Sequence, residues 1–413
     1  MKTILHCDLN NFFASVECIL NPALKDFPVA VCGDPEKRHG IVLAKNMLAK
    51  SYGIKTADTV WQAKQKCKNL VCVPPNMDKY VHYSEIVKNI YYKYTDQIEP
   101  YGIDECWLDV TNSLNLFKSG LEIAKSIKND ILSETGLTIS IGISFTKVFS
   151  KLGSDLKKPD AITEITFENF KEIIYPLPVQ NLFMIGKKTA AKLNTLNIFT
   201  LSDLAKTDES LLLSHFGVNG KKMKESVLGI EYETVSKFDS IRNIKSVGHG
   251  TTTSKDVDNF ENFKIVIYYL AELTATRLRK YGLTAKCVSI IFRDNNLFSF
   301  TRQQTLGINV TSASDIAKAA YELAQKSYNF KTMPSLRTIS VSVTNLEKLK
   351  DEQLNMFKDE KSAKNTALEE NIDKIRKKHG FYILTRGILL EKTFFVDRHS
   401  SSEDNSYIPF KRM

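Results

Sequence analysis

Two acidic side chains stand next to each other in a stretch of apolar residues, at Asp104 and Glu105 in the sequence YGIDECWLDV. Neighbouring side chains of a regular strand point to opposite faces, so both can serve one site only at a hairpin tip or an irregular strand end. Pro100 and Gly102 lie just upstream and predict a tight turn here. Carboxylates at such a tip suit a hard cation such as Mg²⁺, and the alternative is an ordinary solvated turn.

Another acid, Asp8, ends a β-like segment that begins at Thr3. A helix is predicted to start at about Phe12, with Asn10 or Asn11 as its cap. The free backbone N–H groups at a helix start form a natural anion site, so Asp8 could hold a metal beside bound phosphates. Together the three acids could hold two Mg²⁺ ions ~3.5–4 Å apart, the arrangement that enzymes use for phosphoryl transfer.

The elements that would position these acids belong to a chain of 413 residues with 43% hydrophobic content, enough for about two to four domains. Short β-rich runs such as LTISIGISF alternate with helical stretches in the first part, which predicts an α+β fold. We expect an α+β domain at 1–165, helices at 166–234, a linker at 235–243, a strand-helix-strand-strand-helix-strand domain at 244–345, and a flexible, partly disordered tail at 346–413.

Positive charge is concentrated in one part of the chain. Lys plus Arg number 57 and Asp plus Glu number 47, so the net charge is +10. Residues 242–345 hold 14 basic and 7 acidic residues and therefore carry +7 of that total. A segment this basic usually lies against phosphates, and a solvated charged face is the alternative.

The cysteines and the apolar runs indicate where the protein works. The seven cysteines are scattered, without a Cys-x-x-Cys pair or zinc-like spacing to histidines, which indicates free thiols in a reducing compartment. The acid at position 8 comes too early for the apolar core of a signal peptide. No apolar run approaches the ~18–20 residues needed to span a membrane. We therefore expect a soluble, cytoplasmic protein.

Five segments follow one another along the chain: HCDLNNFFASVE, RHGIVLAKNMLAKSYGIKT, YGIDECWLDV, SIGISFTKVFSKLGSDLKKPDA and FMIGKKTAAKL. In order and spacing they resemble the Y-family translesion DNA polymerases, and within them the bacterial DNA polymerase IV branch. The resemblance implies a monomeric, template-directed DNA polymerase of low fidelity that uses dNTPs, a primer–template and two Mg²⁺ ions. It also implies a right hand, with a palm at 1–165, fingers inserted at about 19–77, a helical thumb with helix-hairpin-helix elements at 166–234 and a βαββαβ little finger at 244–345.

The same resemblance gives roles to the acids. Asp8, Asp104 and Glu105 match the metal-binding acids of the family, and the backbone carbonyl of Leu9 matches a further ligand. Glu105 matches the active-site acid near the metal that activates the primer 3′-hydroxyl. Its role would be electrostatic and positional, because phosphoryl transfer depends mainly on alignment and on charge neutralisation.

Aromatic and basic residues match the nucleotide site of the family. Phe13 matches the steric gate under the deoxyribose, where a 2′-hydroxyl would clash, and a core Phe at a helix start is the alternative. The adjacent Phe12 packs inward or contacts the nucleotide. Lys158 matches a lysine that reaches the incoming triphosphate, with Lys157 as the alternative.

The fingers depart from the family pattern. Where the family usually has Asn-Tyr-x-Ala-Arg, this chain reads NMLAK, so Met47 replaces the Tyr and Lys50 replaces the Arg. Lys keeps the charge without the planar fork of Arg, and Met cannot donate a hydrogen bond to phosphate. We expect weaker nucleotide binding or altered alignment, and not an inactive enzyme, because all three acids remain.

Two Gly-containing helical hairpins are candidates for holding DNA phosphates through backbone N–H groups. The first has Gly186, Lys187 and Lys188, and the second has Gly217, Gly220 and Lys221. A purely structural role for these hairpins is the alternative. In the basic domain the candidate DNA contacts are Arg242, Lys245, Lys286, Arg293 and Arg302.

A short motif in the tail resembles the clamp-binding peptide of bacterial polymerases. Its residues are Gln353, Leu354, Met356 and Phe357. An apolar anchor pair on a mobile linker would enter a surface groove of the sliding clamp, and a chance match is the alternative.

Two other functions stay open. A catalytically weak, clamp-bound scaffold in DNA repair is favoured by the NMLAK sequence and disfavoured by the intact acids. A palm-fold nucleotidyl cyclase would share the two-metal site but would have no use for the hairpins, the basic domain or the clamp peptide.

Overall fold

The structure is a computed structural model that describes residues 2–238, 243–349 and 360–390, with the backbone alone at 360–366. The described residues fall into two compact units, one formed by 2–32 and 42–238 and the other by 33–41, 243–349 and 360–390. Some predicted contact residues lie outside the described parts of the chain, namely Arg242, Gln353, Leu354, Met356 and Phe357.

The first unit contains strands and helices in alternation up to β8 and helices after it. Its strands are β1 (Ile4–Leu9), β2 (Val29–Cys32), β3 (Val42–Lys45), β4 (Val71–Val73), β5 (Ile98–Pro100), β6 (Glu105–Asp109), β7 (Ile139–Ser144) and β8 (Ile162–Ile165). Its first helices are α1 (Phe12–Leu20), α2 (Met47–Ser51), α3 (Val60–Lys66), α4 (Met77–Tyr92), α5 (Leu114–Phe117), α6 (Gly120–Thr135) and α7 (Lys147–Leu156). The helices that follow the last strand are α8 (Phe170–Ile174), α9 (Lys187–Asn194), α10 (Leu201–Lys206), α11 (Glu209–Phe216) and α12 (Val218–Val227).

The five-stranded sheet of this unit has the order β5-β6-β1-β7-β8, with β1 antiparallel to both of its neighbours. The odd-numbered residues of β1, such as Leu5 and Cys7, pack into a core with α4 and α6. The even-numbered residues point to the other face because side chains alternate along a strand. The predicted tight turn is confirmed, since the hairpin between β5 and β6 places Asp104 at the tip and Glu105 at the start of β6.

Helix α7 covers the other face of this sheet at very short range. A Cβ atom at Gly142 on β7 would lie 1.9 Å from the carbonyl oxygen of Ser150 and 2.4 Å from the amide nitrogen of Ser154. Only glycine permits this approach, so Gly142 sets the position of α7 on the sheet. That position matters because α7 carries Lys151 and ends next to Lys158.

A second, smaller sheet of the first unit has the order β3-β2-β4. Two short helices beside it begin with side-chain caps, as Asn46 accepts from the backbone N–H of Ala49 and Thr59 forms a capping box with Gln62. These caps fix the first turn of α2, which carries Met47 and Lys50.

The helices α8 to α12 confirm the helical prediction for the segment after β8. The turn of the second hairpin is at Gly217, which has φ of 59° and joins α11 to α12, whereas Gly220 lies inside α12. A Cβ atom at Gly220 would lie 2.2 Å from the carbonyl oxygen of Leu212, so this glycine serves close packing of the two helices. Gly220 therefore offers no turn to a phosphate.

The second unit has the predicted order of strands and helices. Its elements are β9 (Ser246–Val257), α13 (Phe260–Lys280), β10 (Leu283–Asp294), β11 (Ser299–Val310), α14 (Ala313–Ser327), β12 (Leu336–Lys348) and α15 (Glu360–His379). The sheet order is β11-β10-β12-β9, and every neighbouring pair is antiparallel. Helices α13 and α14 pack against one face of this sheet, where Ile290, Phe292 and Val341 are fully buried. The predicted βαββαβ domain is confirmed.

The tail is ordered at 360–390, whereas its composition predicted a flexible, partly disordered segment. Helix α15 is followed by two short 3₁₀ turns, Phe381–Ile383 and Gly387–Leu389. Buried ion pairs hold this segment, because Glu272 on α13 binds both Arg376 and Arg386 at 2.8 and 2.6 Å. Glu369 and Arg376 are themselves buried. The Lys- and Glu-rich composition predicted side chains exposed to water. Composition does not show which of these charges form ion pairs with each other or with α13.

The cysteine pattern predicted free thiols, and all seven cysteines are free thiols in the structure. Within the described ranges, no helix is long and apolar enough to cross a membrane.

Candidate active site

Two of the predicted acids face each other across neighbouring strands. Asp8 on β1 and Glu105 on β6 are directly opposite in the antiparallel register, so their side chains share one face of the sheet. His6 and Trp107 form the next pair on that face, with ring centroids 5.1 Å apart. Two carboxylates placed this way repel each other and require nearby cations.

Lys158 is the cation beside Asp8. Its Nζ lies 2.6 Å from Oδ2 of Asp8 and 2.7 Å from Oδ1 of Asp155. Burial raises the pKa of Asp8 to about 7, with Lys158 opposing the rise and the acids Glu105 and Asp104 adding to it. Burial lowers the pKa of Lys158, but the two carboxylates outweigh it and the net change is a rise. The alternative candidate, Lys157, is exposed.

Glu105 has a different set of partners. Lys151 on α7 donates to Oε2 of Glu105, and Nε2 of the fully buried His6 lies 3.3 Å from the same oxygen. Burial raises the pKa of Glu105, but the contacts with His6 and Lys151 prevail and bring it to about 2. Burial lowers the pKa of His6 to about 4, so the ring is neutral at pH 7.

The third acid is Asp104 in the turn before β6. Its backbone carbonyl accepts a hydrogen bond of 3.1 Å from the N–H of Leu9, which ties this turn to the end of β1. Burial raises the pKa of Asp104, and the charge of Glu105 adds to the rise. Asp104 also adds to the raised pKa of Asp8, so the three acids act on one another electrostatically.

The carboxylates are nevertheless not gathered into one ligand set. Across the described parts of the chain, no group of three or more His, Cys, Asp or Glu side chains is arranged to hold a metal ion. Lys158 and Lys151 each hold one of the acids instead. The metal-binding role of the acids and of the Leu9 carbonyl therefore stays a prediction.

A cleft of about 200 Å³ opens beside Asp8. Its lining residues are Asp8, Asn10, Asn11, Met47, Lys50, Lys158 and Pro159. The structure thus brings Met47 and Lys50 of α2 to the same opening as Asp8 and Lys158, although these residues are distant in sequence. One carboxylate and two lysines in a cleft form a site that suits an anion together with a cation.

Helix α1 begins at this cleft as predicted, but the predicted side-chain cap is wrong. Asn11 is the cap residue, with φ of 51°, and its side chain makes no capping bond. Asn10 is buried and its side chain bonds to the hydroxyls of Thr138 and Ser140 instead. Both Asn residues therefore line the cleft, and neither side chain caps α1.

The two phenylalanines of α1 differ in exposure. Phe12 is only 3% exposed and belongs to the core of the first unit. Of its two predicted roles, the structure shows the inward packing. Phe13 is half-buried and stacks on Tyr80, with ring centroids 4.2 Å apart and planes within 10°. The hydroxyl of Tyr80 donates to Glu17 at 2.5 Å, which fixes the ring beneath Phe13.

Sequence reasoning missed His6 and Lys151. His6 precedes Asp8 by two residues on a strand, which places both side chains on one face, so a search for side chains in register with Asp8 would have found it. Lys151 lies on α7, and its contact with Glu105 spans 46 residues, so no local signal points to it.

The predicted DNA contacts that the structure describes are exposed, and within the second unit they lie on both faces of the sheet. Lys187 and Lys188 are exposed at the start of α9, directly after Gly186, and Lys221 is exposed on α12. Lys245, Lys286, Arg293 and Arg302 are exposed in the second unit. Arg302 is paired in register with the fully buried Ile290, so it projects from the helix-covered face, whereas Arg293 projects from the opposite one.

The open face of the second sheet carries mostly hydroxyl side chains, a feature that the sequence analysis did not anticipate. Register places the following side chains on it: Ser246 and Thr252 on β9; Cys287, Ser289, Ile291 and Arg293 on β10; Ser299, Thr301, Gln303 and Thr305 on β11; and Thr338, Ser340, Ser342 and Thr344 on β12. Gly250 keeps this face flat, because a Cβ atom there would lie 2.1 Å from Oγ of Ser340. The result is a polar surface with little charge.

Comparison with known proteins places the chain in a family. Residues 7–155 match the impB/mucB/samB family, residues 168–198 match the IMS family HHH motif, and residues 244–356 match the impB/mucB/samB family C-terminal domain. DNA polymerase IV of Acetivibrio thermocellus is 45% identical over 392 residues, which cover 94% of this chain and 98% of that protein. The chain belongs to the DNA polymerase IV branch of the Y family. DNA polymerase IV 1 of Bacillus subtilis is 35% identical over 393 residues, or 95% of this chain and 94% of that protein.

Solved structures agree on the fold. A Y-family DNA polymerase chimera of Dbh and Dpo4 matches with a TM-score of 0.75 and 24% identity, covering 84% of this chain and 99% of that one. A ternary complex of Dbh matches with a TM-score of 0.59, covering 83% of this chain and 98% of that one. The α+β right-hand fold is confirmed. Y-family DNA polymerases are nucleotidyltransferases that generally need a divalent metal.

Proposed function

We propose that this chain is a DNA-directed DNA polymerase that performs low-fidelity translesion synthesis by two-metal nucleotidyl transfer. Membership of the DNA polymerase IV branch supports this function. The observation that carries it at the level of residues is the pairing of Asp8 and Glu105 on one face of the sheet, beside a cleft that also holds Lys50 and Lys158.

The donor set fits Mg²⁺. Asp8, Asp104, Glu105 and the Leu9 carbonyl would supply only oxygen ligands, which Mg²⁺ prefers. The raised pKa values of Asp8 and Asp104 reflect burial and shared negative charge, both of which divalent cations would offset. Bound in a pair, the ions would lower the pKa of the primer 3′-hydroxyl and neutralise charge on the departing pyrophosphate.

The lysines of the cleft would bind the triphosphate. Lys158 is partly exposed and reaches Asp8 from the rim of the cleft, so its ammonium can move to a phosphate when a cation takes over the carboxylate. Lys50 adds a second charge on the fingers side, while Met47 occupies the same rim without a donor. Nucleotide binding here rests on two point charges and not on a bidentate fork.

Phe13 would select the sugar. Its ring is partly exposed and is held in one orientation by the stack on Tyr80. A ring fixed this way cannot yield to a 2′-hydroxyl, so ribonucleotides would be excluded by shape.

The remaining parts would hold the primer–template and the clamp. We propose a palm at 1–165 with fingers at about 19–77, a thumb at 166–234 and a little finger at 244–345. Lys187 and Lys188 at the start of α9, together with the hydroxyl face of the second sheet, would hold phosphates without reading sequence. The enzyme would work as a monomer in the cytoplasm.

Residues Gln353, Leu354, Met356 and Phe357 would bind the bacterial sliding clamp. Changing Leu354 and Phe357 together to Ala removes both apolar anchors and should abolish pull-down by immobilised clamp, with no change in extension when clamp is absent. Pull-down equal to that of the wild type would end the clamp assignment.

The test of the proposed function is primer extension on an undamaged template with Mg²⁺, comparing wild type with Glu105→Ala, with DNA binding measured on both proteins. Extension that depends on Glu105 is the expected result. Absence of extension by wild type, with DNA still bound, would reject the polymerase. It would favour the scaffold function, for which Met47 in the cleft is the supporting observation.

A further inference from the structure

Glu105 is held from one side by an enclosed ammonium group. Lys151 donates to Oε2 of Glu105, and the Lys151 Nζ atom lies 5.0 Å from the ring centre of Tyr101 and 5.9 Å from that of Phe183. The side chain of Lys151 is 14% exposed, against 28% for Lys158. Lys151 also does not line the cleft. The two lysines therefore hold two acids in different settings.

His6 has a second partner in Ser154. Oγ of Ser154 lies 2.8 Å from Nδ1 of His6 and 2.7 Å from the backbone carbonyl oxygen of Lys151. Ser154 therefore ties the His6 ring to the turn of α7 that carries Lys151.

The other ring nitrogen of His6 lies beside both members of the ion pair. Nε2 lies 3.3 Å from Oε2 of Glu105 and 3.5 Å from Nζ of Lys151. His6, which is fully buried, thus marks the position where Lys151 binds Glu105.

We propose that Lys151 is a positioning residue that holds Glu105 against His6 and must release it before the carboxylate can bind a divalent cation. Cation binding then competes with an internal ion pair, in keeping with the acids that face one another without forming a ligand set in the described chain. The inference rests on the proposed function, because it assumes that Glu105 binds a cation there.

The test is Mn²⁺ binding to the full-length protein without DNA or nucleotide, measured by the electron paramagnetic resonance signal of free Mn²⁺. Lys151→Met should bind Mn²⁺ at least about fivefold more tightly than wild type, because coupled binding changes affinity by about this factor or more. The matched control is Lys157→Met, which removes an exposed charge next to the same helix and should change affinity by less than about twofold. Asp104→Ala should lose the site. Unchanged or weaker binding by folded Lys151→Met would overturn the proposal.

A second measurement needs no variant. Acetic anhydride acylates free amines, and mass spectrometry reports the rate at each lysine of the wild-type protein. Saturating Mn²⁺ should raise the acylation rate of Lys151 severalfold while that of Lys157 stays constant. An unchanged rate at Lys151 would contradict its release. His6→Phe should raise the Lys151 rate even without Mn²⁺, since an aromatic ring remains but the nitrogen that contacts both Lys151 and Glu105 is lost.

The outcomes separate this inference from the proposed function. Competition with Mn²⁺ as described, in a protein that does not extend primers, would reject the polymerase and keep the inference. Normal extension with no effect of Lys151→Met on Mn²⁺ binding would keep the polymerase and reject the inference.

Discussion

The two larger sheets of the molecule use polar side chains in opposite ways. The five-stranded sheet carries a few acids on one face and holds them with fixed lysines, as with Asp8 and Lys158 at 2.6 Å. The four-stranded sheet presents an open face of hydroxyls in register across its strands, with Arg293 among them. Chemistry at one phosphorus atom needs charges fixed at one place. A grip on a moving polyanion needs many weak donors that can replace one another.

Loss of one acid from the five-stranded sheet should have the largest effect. Asp104→Ala should lower primer extension by at least about a thousandfold, the scale of losing a main electrostatic contributor to phosphoryl transfer, with DNA affinity unchanged. The exposed Glu164 on β8 provides a matched control, and Glu164→Ala should extend normally. Retained synthesis by Asp104→Ala would remove this residue from the metal site.

Sugar selection should depend on one ring of the same unit. Phe13→Ala should lower the preference for deoxyribonucleotides over ribonucleotides by at least about tenfold, since a steric exclusion is lost. Tyr80→Phe keeps the stacked ring and loses only the bond to Glu17, so it should select sugars as the wild type does. Single-nucleotide incorporation with matched dNTP and rNTP measures both, and equal selection by Phe13→Ala would rule out the gate.

The open face of the four-stranded sheet should respond weakly to single changes. Arg293→Ala should reduce the slope of log affinity against log salt concentration by about 1, the loss of one phosphate contact. Thr301→Val removes one uncharged donor from the same face and should change DNA affinity by less than about threefold. Fluorescence anisotropy across a salt series measures both variants. A larger effect for Thr301 than for Arg293 would contradict a shared grip.

The two sheets also differ in how they treat a buried histidine. Both nitrogens of His6 have partners, whereas Nε2 of His249 on β9 is buried without one. Burial lowers the pKa of His249 to about 3, so the unfolded chain takes up the proton first and stability falls as pH drops from 6.5 towards 3. The limit for one proton is about 1.4 kcal/mol per pH unit.

His249→Gln should therefore reduce the loss of unfolding free energy between pH 7.5 and 5.5, by at most about 1.4 kcal/mol. Urea unfolding of the full chain at the two pH values measures it. The contribution of His6 to acid sensitivity has the same sign and is common to both proteins, so the difference between them isolates His249. An identical loss in both proteins would show that folding does not lower the pKa of His249.

The sequence predicted features that depend on neighbours along the chain. The turn before Glu105, the start of α1 and the βαββαβ order all follow from local periodicity and turn residues. Their partners were not predictable in the same way. Lys151 meets Glu105 across 46 residues, and the hydroxyl face exists only through strand register. Gly220 was taken for a turn residue because sequence does not show the close approach to Leu212.

The tail illustrates the same limit on the scale of a domain. Its charged composition predicted a flexible segment, yet Arg279 on α13 donates to Asp373 at 2.7 Å and also binds Glu369. Within its own helix, none of these charges is distinguished by sequence from an ordinary exposed charge. Only the fold places opposite charges together, so composition alone could not reveal that 360–390 is a folded part of the second unit.

The central claim is that the five-stranded sheet carries the chemistry and the four-stranded sheet binds DNA. The most direct test is single-turnover incorporation from pre-formed enzyme–DNA complexes, with DNA affinity measured on the same samples. Glu105→Gln should slow incorporation by at least about a hundredfold and leave DNA affinity unchanged, because it removes a fixed charge at the reacting centre. Arg293→Ala should weaken DNA affinity and leave the rate of saturated complexes unchanged. Weakened DNA affinity in Glu105→Gln, or slow incorporation by saturated Arg293→Ala, would contradict the account.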